Sequence, residues 1–186
     1  MMIRENELGN KIALLGGART GKDTAAQYLG AVYGHERFAF GDGVREVFHE
    51  ILFPHIPTEP KPRDGYITLA QACRSIYPNV WVDKAKQVYH SMRAVGIESF
   101  VVTDVRQQNE IDWLREEGFV FLRITSNRQM ERVEALGESL DVNNYLDNAL
   151  NGFECLEIDN SGSLEELYAQ LDEIMGYFGK GLEEED

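Results

Sequence analysis

The sequence predicts an α/β protein: a five-stranded parallel sheet with helices on both faces. Three observations carry that prediction. Short apolar, β-branched runs alternate with helical patterns along the chain. Their order, β-α-β…β-α-β…β-α, calls for parallel strands joined by helical crossovers. The length, 186 residues with 43% apolar side chains, suits one domain with a sizeable core.

Each element has its own signal. "KIALL" (11–15) is a short buried-strand run ending in Gly16-Gly17. Helix is expected from about Lys22, with Ala25, Leu29 and Val32 on one face. "RFAF" (37–40) reads as the second strand and "SFVVTDV" (99–105), rich in β-branched residues, as the third. Asn109 to Glu117 reads as a helix stopped by Gly118. "FVFLRI" (119–124) and "FECLEI" (153–158) are the fourth and fifth strands. Ser163 and Glu166 form a capping box that opens the last helix. Its expected core stripe is Leu164, Leu167, Leu171, Ile174, Met175 and Phe178.

Two stretches interrupt the rhythm. Residues 42–96 contain a Pro-rich loop, "FPHIPTEPKPRDGY", and an amphipathic helix with Val82, Ala85, Val88, Tyr89 and Met92, stopped by Gly96. Residues 126–150 are polar and include Arg128, Arg132 and "DVNNYLDN". The expectation is a single domain, 1–186, whose sheet carries two polar insertions able to act as covers.

Composition narrows the function. No run of 18 apolar residues exists and the charged N-terminus is no secretory signal, so a cytoplasmic protein without a membrane span is expected. Cys73 and Cys155 make neither a disulfide framework nor a metal-ligand spacing. The histidines at 35, 49, 55 and 90 lack metal spacing and read as structural. The net charge of −14 argues against a polymeric nucleic-acid partner. Most of it sits beyond residue 154, as a solvated helix face and the acidic tail 180–186. Arginines concentrate instead in the body of the chain, where their planar forks suit phosphate groups.

The chemistry starts at "LLGGARTGKDTAAQYLG" (14–30). Gly16, Gly21 and Lys22 meet the phosphate-loop pattern G-x-x-x-x-G-K-[ST], but the last position is Asp23, with Thr24 one place later. A strand leading into a glycine turn and then a helix gives the pattern its physical sense. Backbone N–H groups of the turn and the helix N-terminus attract anions, and Lys22 reaches the outer phosphates. Asp23 is a hard oxygen donor in place of the usual hydroxyl, and Thr24 keeps a hydroxyl for a phosphate oxygen.

"GGARTGKDTAA" resembles the phosphate loop of phage-type deoxynucleoside monophosphate kinases, where Gly-Lys-Asp-Thr is the usual form. "FAFGDGVREVF" (38–48), "TLAQACRSIYPNVWVDKA" (68–85), "VVTDVRQQNE" (101–110) and "LEIDNSGSLEEL" (156–167) are similar to later blocks of that family, in order and spacing. The blocks span roughly residues 11 to 171, while 126–150 departs from the pattern.

The resemblance implies a three-layer P-loop kinase fold with an acceptor-binding insertion at about 42–96 and a lid at about 126–150. It implies transfer of the γ-phosphoryl group of ATP to a deoxynucleoside monophosphate, with Mg²⁺, by a monomer or homodimer. ATP would sit on Gly16, Gly17, Ala18, Arg19, Thr20, Gly21, Lys22, Asp23 and Thr24. Asp104 would hold Mg²⁺ through water alongside Asp23, with helix capping as its competing role. Arg106 would bind the acceptor phosphate, or else pair with Glu110. Arg45 and Arg74 would grip the monophosphate, or serve the surface. Arg128 and Arg132, four apart, would share one face of a lid helix and close over ATP, or pair with Glu131 or Glu134. Asp42 would contact the acceptor or cap a helix, the cap being favoured. Trp81 would stack on a base, although core packing is commoner for such an aromatic. Lys22, Arg106, Arg128 and Arg132 are thus the candidate catalytic groups. A kinase of another small phosphorylated metabolite, such as dephospho-coenzyme A, and a non-catalytic nucleotide-binding module remain alternatives. A GTPase is disfavoured because no Asn-Lys-x-Asp motif is present.

Overall fold

The structure, a computed structural model, describes residues 9–134 and 155–180. The chain divides into two units: one formed by Met1–Arg37 with Glu98–Asp186, the other by Phe38–Ile97. The second spans the stretch read as the first insertion.

The five strands are β1 (Lys11–Leu15), β2 (Glu36–Phe38), β3 (Phe100–Val102), β4 (Val120–Thr125) and β5 (Leu156–Asp159). They form a parallel sheet in the order β2-β3-β1-β4-β5. Ile12 lies opposite Val101 on β3 and Val120 on β4, and Ile124 lies opposite Ile158 on β5. This register brings Leu15, Val102, Thr125 and Asp159 to one edge, the carboxyl ends of the strands. In open α/β sheets, that edge is where ligands bind.

Helices α1 (Lys22–Tyr33) and α5 (Gln108–Glu116) belong to the first unit, as do α6 (Gln129–Glu134) and α7 (Leu164–Lys180). Ile12, Leu14, Leu122, Ile124 and Ile158 pack with Ala25, Ala26 and Leu29 of α1 and Leu167 and Leu171 of α7. Side chains alternate across a strand, and Ala13 and Leu15 are as fully buried as Ile12 and Leu14. Both faces of the sheet are therefore covered, as a parallel sheet requires.

The second unit is helical: α2 (Phe40–Glu46), a π-helical continuation (Val47–Leu52), α3 (Arg63–Ile76) and α4 (Val80–Ala94). Val44, Ala70 and Trp81 form its small core, packed against Val47, Tyr66 and Leu69. His49 bridges the Ile56 carbonyl and the Tyr66 hydroxyl, a structural role.

Several boundaries differ from the sequence reading for physical reasons. The run 37–40 is divided: Phe38 ends β2, and Phe40 opens α2. Both rings are buried, so periodicity alone does not separate them. β3 stops at Val102, and Thr103 to Arg106 turn away from it. Residues 153 and 154 of the predicted fifth strand lie outside the described residues. Val32 is 54% exposed, and Ala26 takes its place on the buried face of α1. Val88 is likewise exposed on α4. The Ser163–Glu166 capping box forms as predicted, with both reciprocal bonds. Among the described residues, no helix is long and apolar enough to cross a membrane.

Candidate active site

β1 ends at Leu15, and the chain takes six residues to reach α1. Three of those residues have left-handed backbones: Gly16 (φ 134°), Arg19 (φ 62°) and Gly21 (φ 106°). Such angles curl the loop so that successive N–H groups face one concavity. At Arg19 this conformation is uncommon for a side-chain-bearing residue. The glycines are demanded by crowding as well as by angle. A Cβ at Gly16 would run into the Ile124 carbonyl, one at Gly17 into the Gln129 amide, and one at Gly21 into the Asn160 amide. Thr20, buried, donates its hydroxyl to Gly17 O at 3.1 Å. α1 then begins with no side-chain cap, which leaves its first N–H groups to an anion.

Lys22 folds back into this loop. Its Nζ donates to Gly16 O at 2.8 Å and to Gly17 O at 2.5 Å. Burial drives the Lys22 pKa down from 10.5 to about 8, and the nearby Arg106 guanidinium adds to the fall, while Asp23 and Asp104 oppose it. Arg106, Asp23 and Asp104 are thus each within electrostatic reach of Lys22. Bound phosphates would favour the ammonium form and raise that pKa again. Between pH about 8 and 10.5 the free protein has lost part of this proton, so polyphosphate binding takes one up. Affinity is then greatest below pH about 8 and falls as pH rises through that value. Calorimetric titration with Mg·ADP, in buffers of different ionisation heat just above pH 8, reads the uptake. Heats that do not change with buffer, or uptake surviving in Lys22→Met, would remove Lys22 from this linkage.

A pocket of about 540 Å³ opens beside the loop, lined by Arg19, Gly21, Lys22, Asp23 and Thr24 and, from elsewhere, by Arg128, Asn160, Gly162, Ser163 and Leu164. The last four come from the β5–α7 loop and the first residue of α7, a part of the chain that the sequence does not mark as site. Leu164 in particular was assigned to the core stripe, but it is 52% exposed and faces the pocket. The available signal was a short polar loop following the fifth parallel strand, at the ligand-binding edge.

Arg128 lines the pocket, but it precedes α6 rather than lying in it. Of the two arginines expected on a lid helix, Arg132 lies within α6 and Arg128 one residue before it. Arg132 is in α6, its side chain is outside the described part, and the rest of the lid region from 135 to 150 lies outside the described residues. Asp104 does not cap α5; Gln107 does, in a capping box with Glu110. Glu110 accepts from the backbone N–H of Arg106 at 2.6 Å and of Gln107 at 2.9 Å, so its carboxylate caps α5. The Arg106 side chain is exposed.

The remaining predicted residues belong to the second unit. Asp42 is not a cap: Ala39 holds that position on α2, and the Asp42 carboxylate pairs with Arg45 one turn on. Arg74 lies in the last turn of α3. Trp81 is 2% exposed, and its indole N–H donates to Ala70 O at 3.2 Å. It is a core residue, with no ring face open to a base.

Mg²⁺ is compatible with the first unit's donors. It characteristically takes one or two carboxylates and completes its shell with water and phosphate oxygens. Asp23 and Asp104 both lie close enough to Lys22 to influence its charge. Among the described residues there is no group of three or more His, Cys, Asp or Glu that would hold a metal unaided.

No protein-family model and no curated protein matches the chain. Solved structures do match. The dephospho-CoA kinase from Campylobacter jejuni superposes with a TM-score of 0.53 at 15% identity, covering 92% of this chain and 98% of that one. A gluconokinase from Sinorhizobium meliloti gives 0.51 at 16% identity, covering 94% and 96%. TT1252 from Thermus thermophilus gives 0.57 at 17% identity, covering 89% and 96%. At these identities the likeness is one of fold, and the fold is that of the small P-loop kinases.

Proposed function

We propose that the chain is an ATP-dependent kinase that phosphorylates a deoxynucleoside monophosphate, giving the diphosphate and ADP. The observation that carries the kinase reading is the left-handed Gly16–Gly21 loop, with Lys22 folded into it and Asp23, Asp104 and Arg106 gathered around that lysine. The choice of acceptor rests on the sequence blocks, above all Gly-Lys-Asp-Thr and Thr-Asp-Val-Arg.

The residues suit the reaction. An oxygen of the acceptor phosphate attacks the γ-phosphorus, and the bond to the β-phosphate oxygen breaks. The acceptor is already an anion, so no strong base is required, and catalysis is positioning and charge neutralisation. The loop N–H groups hold the polyphosphate, and Lys22 exchanges its two carbonyl partners for phosphate oxygens. Arg106 meets the acceptor phosphate. Arg128 lines the pocket wall and would meet ATP there. When bound, Mg²⁺ would supply positive charge to the β- and γ-phosphate oxygens, held by Asp23 and Asp104 through its water shell.

A second reading keeps the fold and the ATP side and changes the acceptor to a hydroxyl group that must lose a proton as it attacks, because a dephospho-CoA kinase is among the similar structures. An ADP-release assay against a panel of nucleoside monophosphates and dephospho-coenzyme A separates the two. Turnover confined to deoxynucleoside monophosphates is the expected result. Turnover with dephospho-coenzyme A alone favours the second reading, and none with any acceptor leaves a nucleotide-binding module. Arg106→Lys keeps a charge but loses the bidentate fork. It should raise the KM for the acceptor about tenfold or more, with the KM for ATP little changed. A change confined to the ATP constant would move Arg106 to the donor side.

A further inference from the structure

Asn160 lies 140 residues from Thr20 in sequence and is 5% exposed, yet it is bonded to two separate segments, the end of β4 and the phosphate loop. Its backbone N–H donates to Thr125 O at 2.8 Å, at the end of β4. Its carbonyl accepts from Ser126 Oγ at 2.8 Å. Its side-chain Nδ2 donates to Thr20 O at 2.7 Å, inside the phosphate loop. The partner fixes the orientation of the amide, since a carbonyl only accepts and so must face the NH₂ end. Gly21 packs against that same NH₂ group so closely that no Cβ fits between them.

The loop carrying Asn160 is itself moored. Gln170, on α7, receives the Asp159 N–H at 3.0 Å and returns a bond to Asp159 O at 2.9 Å, pairing with that backbone as a further strand would. Asp159 accepts from both the N–H and the hydroxyl of Ser161, and Ser161 in turn accepts from the Asn127 N–H. A chain of bonds thus runs from α7 through the end of β5 into the phosphate loop.

We propose that Asn160 is a positioning residue. Its amide, held by the β5–α7 loop and Gln170, braces the Thr20–Gly21 peptide so that the loop keeps its anion-binding curl before any nucleotide arrives. The inference rests on the phosphate-site reading above and deepens it. A site already in its bound shape avoids the ordering cost of binding. Without the brace, Thr20 O is a buried acceptor with no donor, and the loop is freed to relax around the left-handed Gly21.

The test is binding of inorganic pyrophosphate and of Mg·ADP to the full chain, measured by calorimetry well below the melting temperature of every variant. Asn160→Ala removes the donor, while Asn160→Asp keeps the shape and sets a carboxylate against a carbonyl oxygen. Gln170→Ala leaves Asn160 in place and unmoors its loop. Asn160→Ala should weaken pyrophosphate about tenfold, Asn160→Asp more, and Gln170→Ala less but in the same direction. Amide exchange at residues 16–22 should quicken in all three while that of Leu167 and Leu171 is unchanged. Asn160 variants that melt lower yet bind pyrophosphate as the wild type does would make Asn160 a packing residue and overturn the brace. A wild-type protein that binds neither pyrophosphate nor Mg·ADP would overturn the phosphate site itself, and the brace with it.

Discussion

Lys22→Ala lowers phosphoryl transfer by about 10²–10³-fold and leaves the protein folded. The expected effect is large because the proposed reaction develops charge at the phosphates that this loop would hold, and the Lys22 Nζ already sits in the loop, bonded to Gly16 O and Gly17 O. Those two carbonyls are weaker partners for an ammonium than phosphate oxygens, so the lysine is poised to exchange them. The fold survives because burial disfavours the lysine charge, as its pKa of about 8 records. Removing the side chain gives up two hydrogen bonds and also relieves that desolvation. Turnover with saturating acceptor and the midpoint of thermal unfolding, measured on the same preparation, check both halves. A variant within a few fold of wild-type turnover would place the chemistry elsewhere. One that fails to fold would mean that the Gly16 and Gly17 contacts hold the loop together.

The phosphate loop was legible because its chemistry is local. Six residues and a lysine at fixed spacing announce the loop in the sequence, although contacts from distant segments hold it in place. The sheet was legible because parallel strands buried on both faces are short apolar runs, as "KIALL" and "FVFLRI" are. The other half of the pocket was not. Asn160, Gly162 and Ser163 are ordinary turn residues, and what makes them part of the site is the parallel register that carries the end of β5 to the edge where β1 ends. A linear motif holds no trace of a bond across 140 residues. Leu164 misled for a related reason. It keeps the apolar period of α7, but that first turn stands at the pocket, where the leucine is half exposed. Asp42 reads as a cap in the sequence, and capping competes with metal binding as the reading of Asp104, because aspartate commonly caps helices. Ala39 and Gln107 hold those positions instead, leaving Asp42 to pair with Arg45 and Asp104 near Lys22.

Gly21→Ala should lower transfer by about 10²-fold or more, whereas Gly34→Ala should leave turnover unchanged. The two glycines bracket the same helix, and both have positive φ, 106° and 73°. Both substitutions therefore pay for a side chain in a conformation that L residues avoid, about 1–2 kcal/mol each. At Gly34 a new methyl meets nothing within 4 Å, so that cost is the whole effect and falls on stability alone. At Gly21 the φ is further from the region tolerated by alanine, and the methyl would collide with the Asn160 amide. Neither neighbour can yield freely: Asn160 is held at its backbone by Thr125 and Ser126, and Gly21 O accepts the first helical bond, from Ala25 N–H at 2.9 Å. The loop must therefore change shape, turning away the N–H groups that face the phosphates. Removing the obstacle as well, in Gly21→Ala with Asn160→Ala, relieves the collision but not the backbone strain, so the double variant should be less impaired than the sum of the two singles. Turnover and denaturant midpoints for the four variants decide the matter. Gly21→Ala and Gly34→Ala losing equal stability and no activity would mean that the curl of this loop is not what binds the polyphosphate.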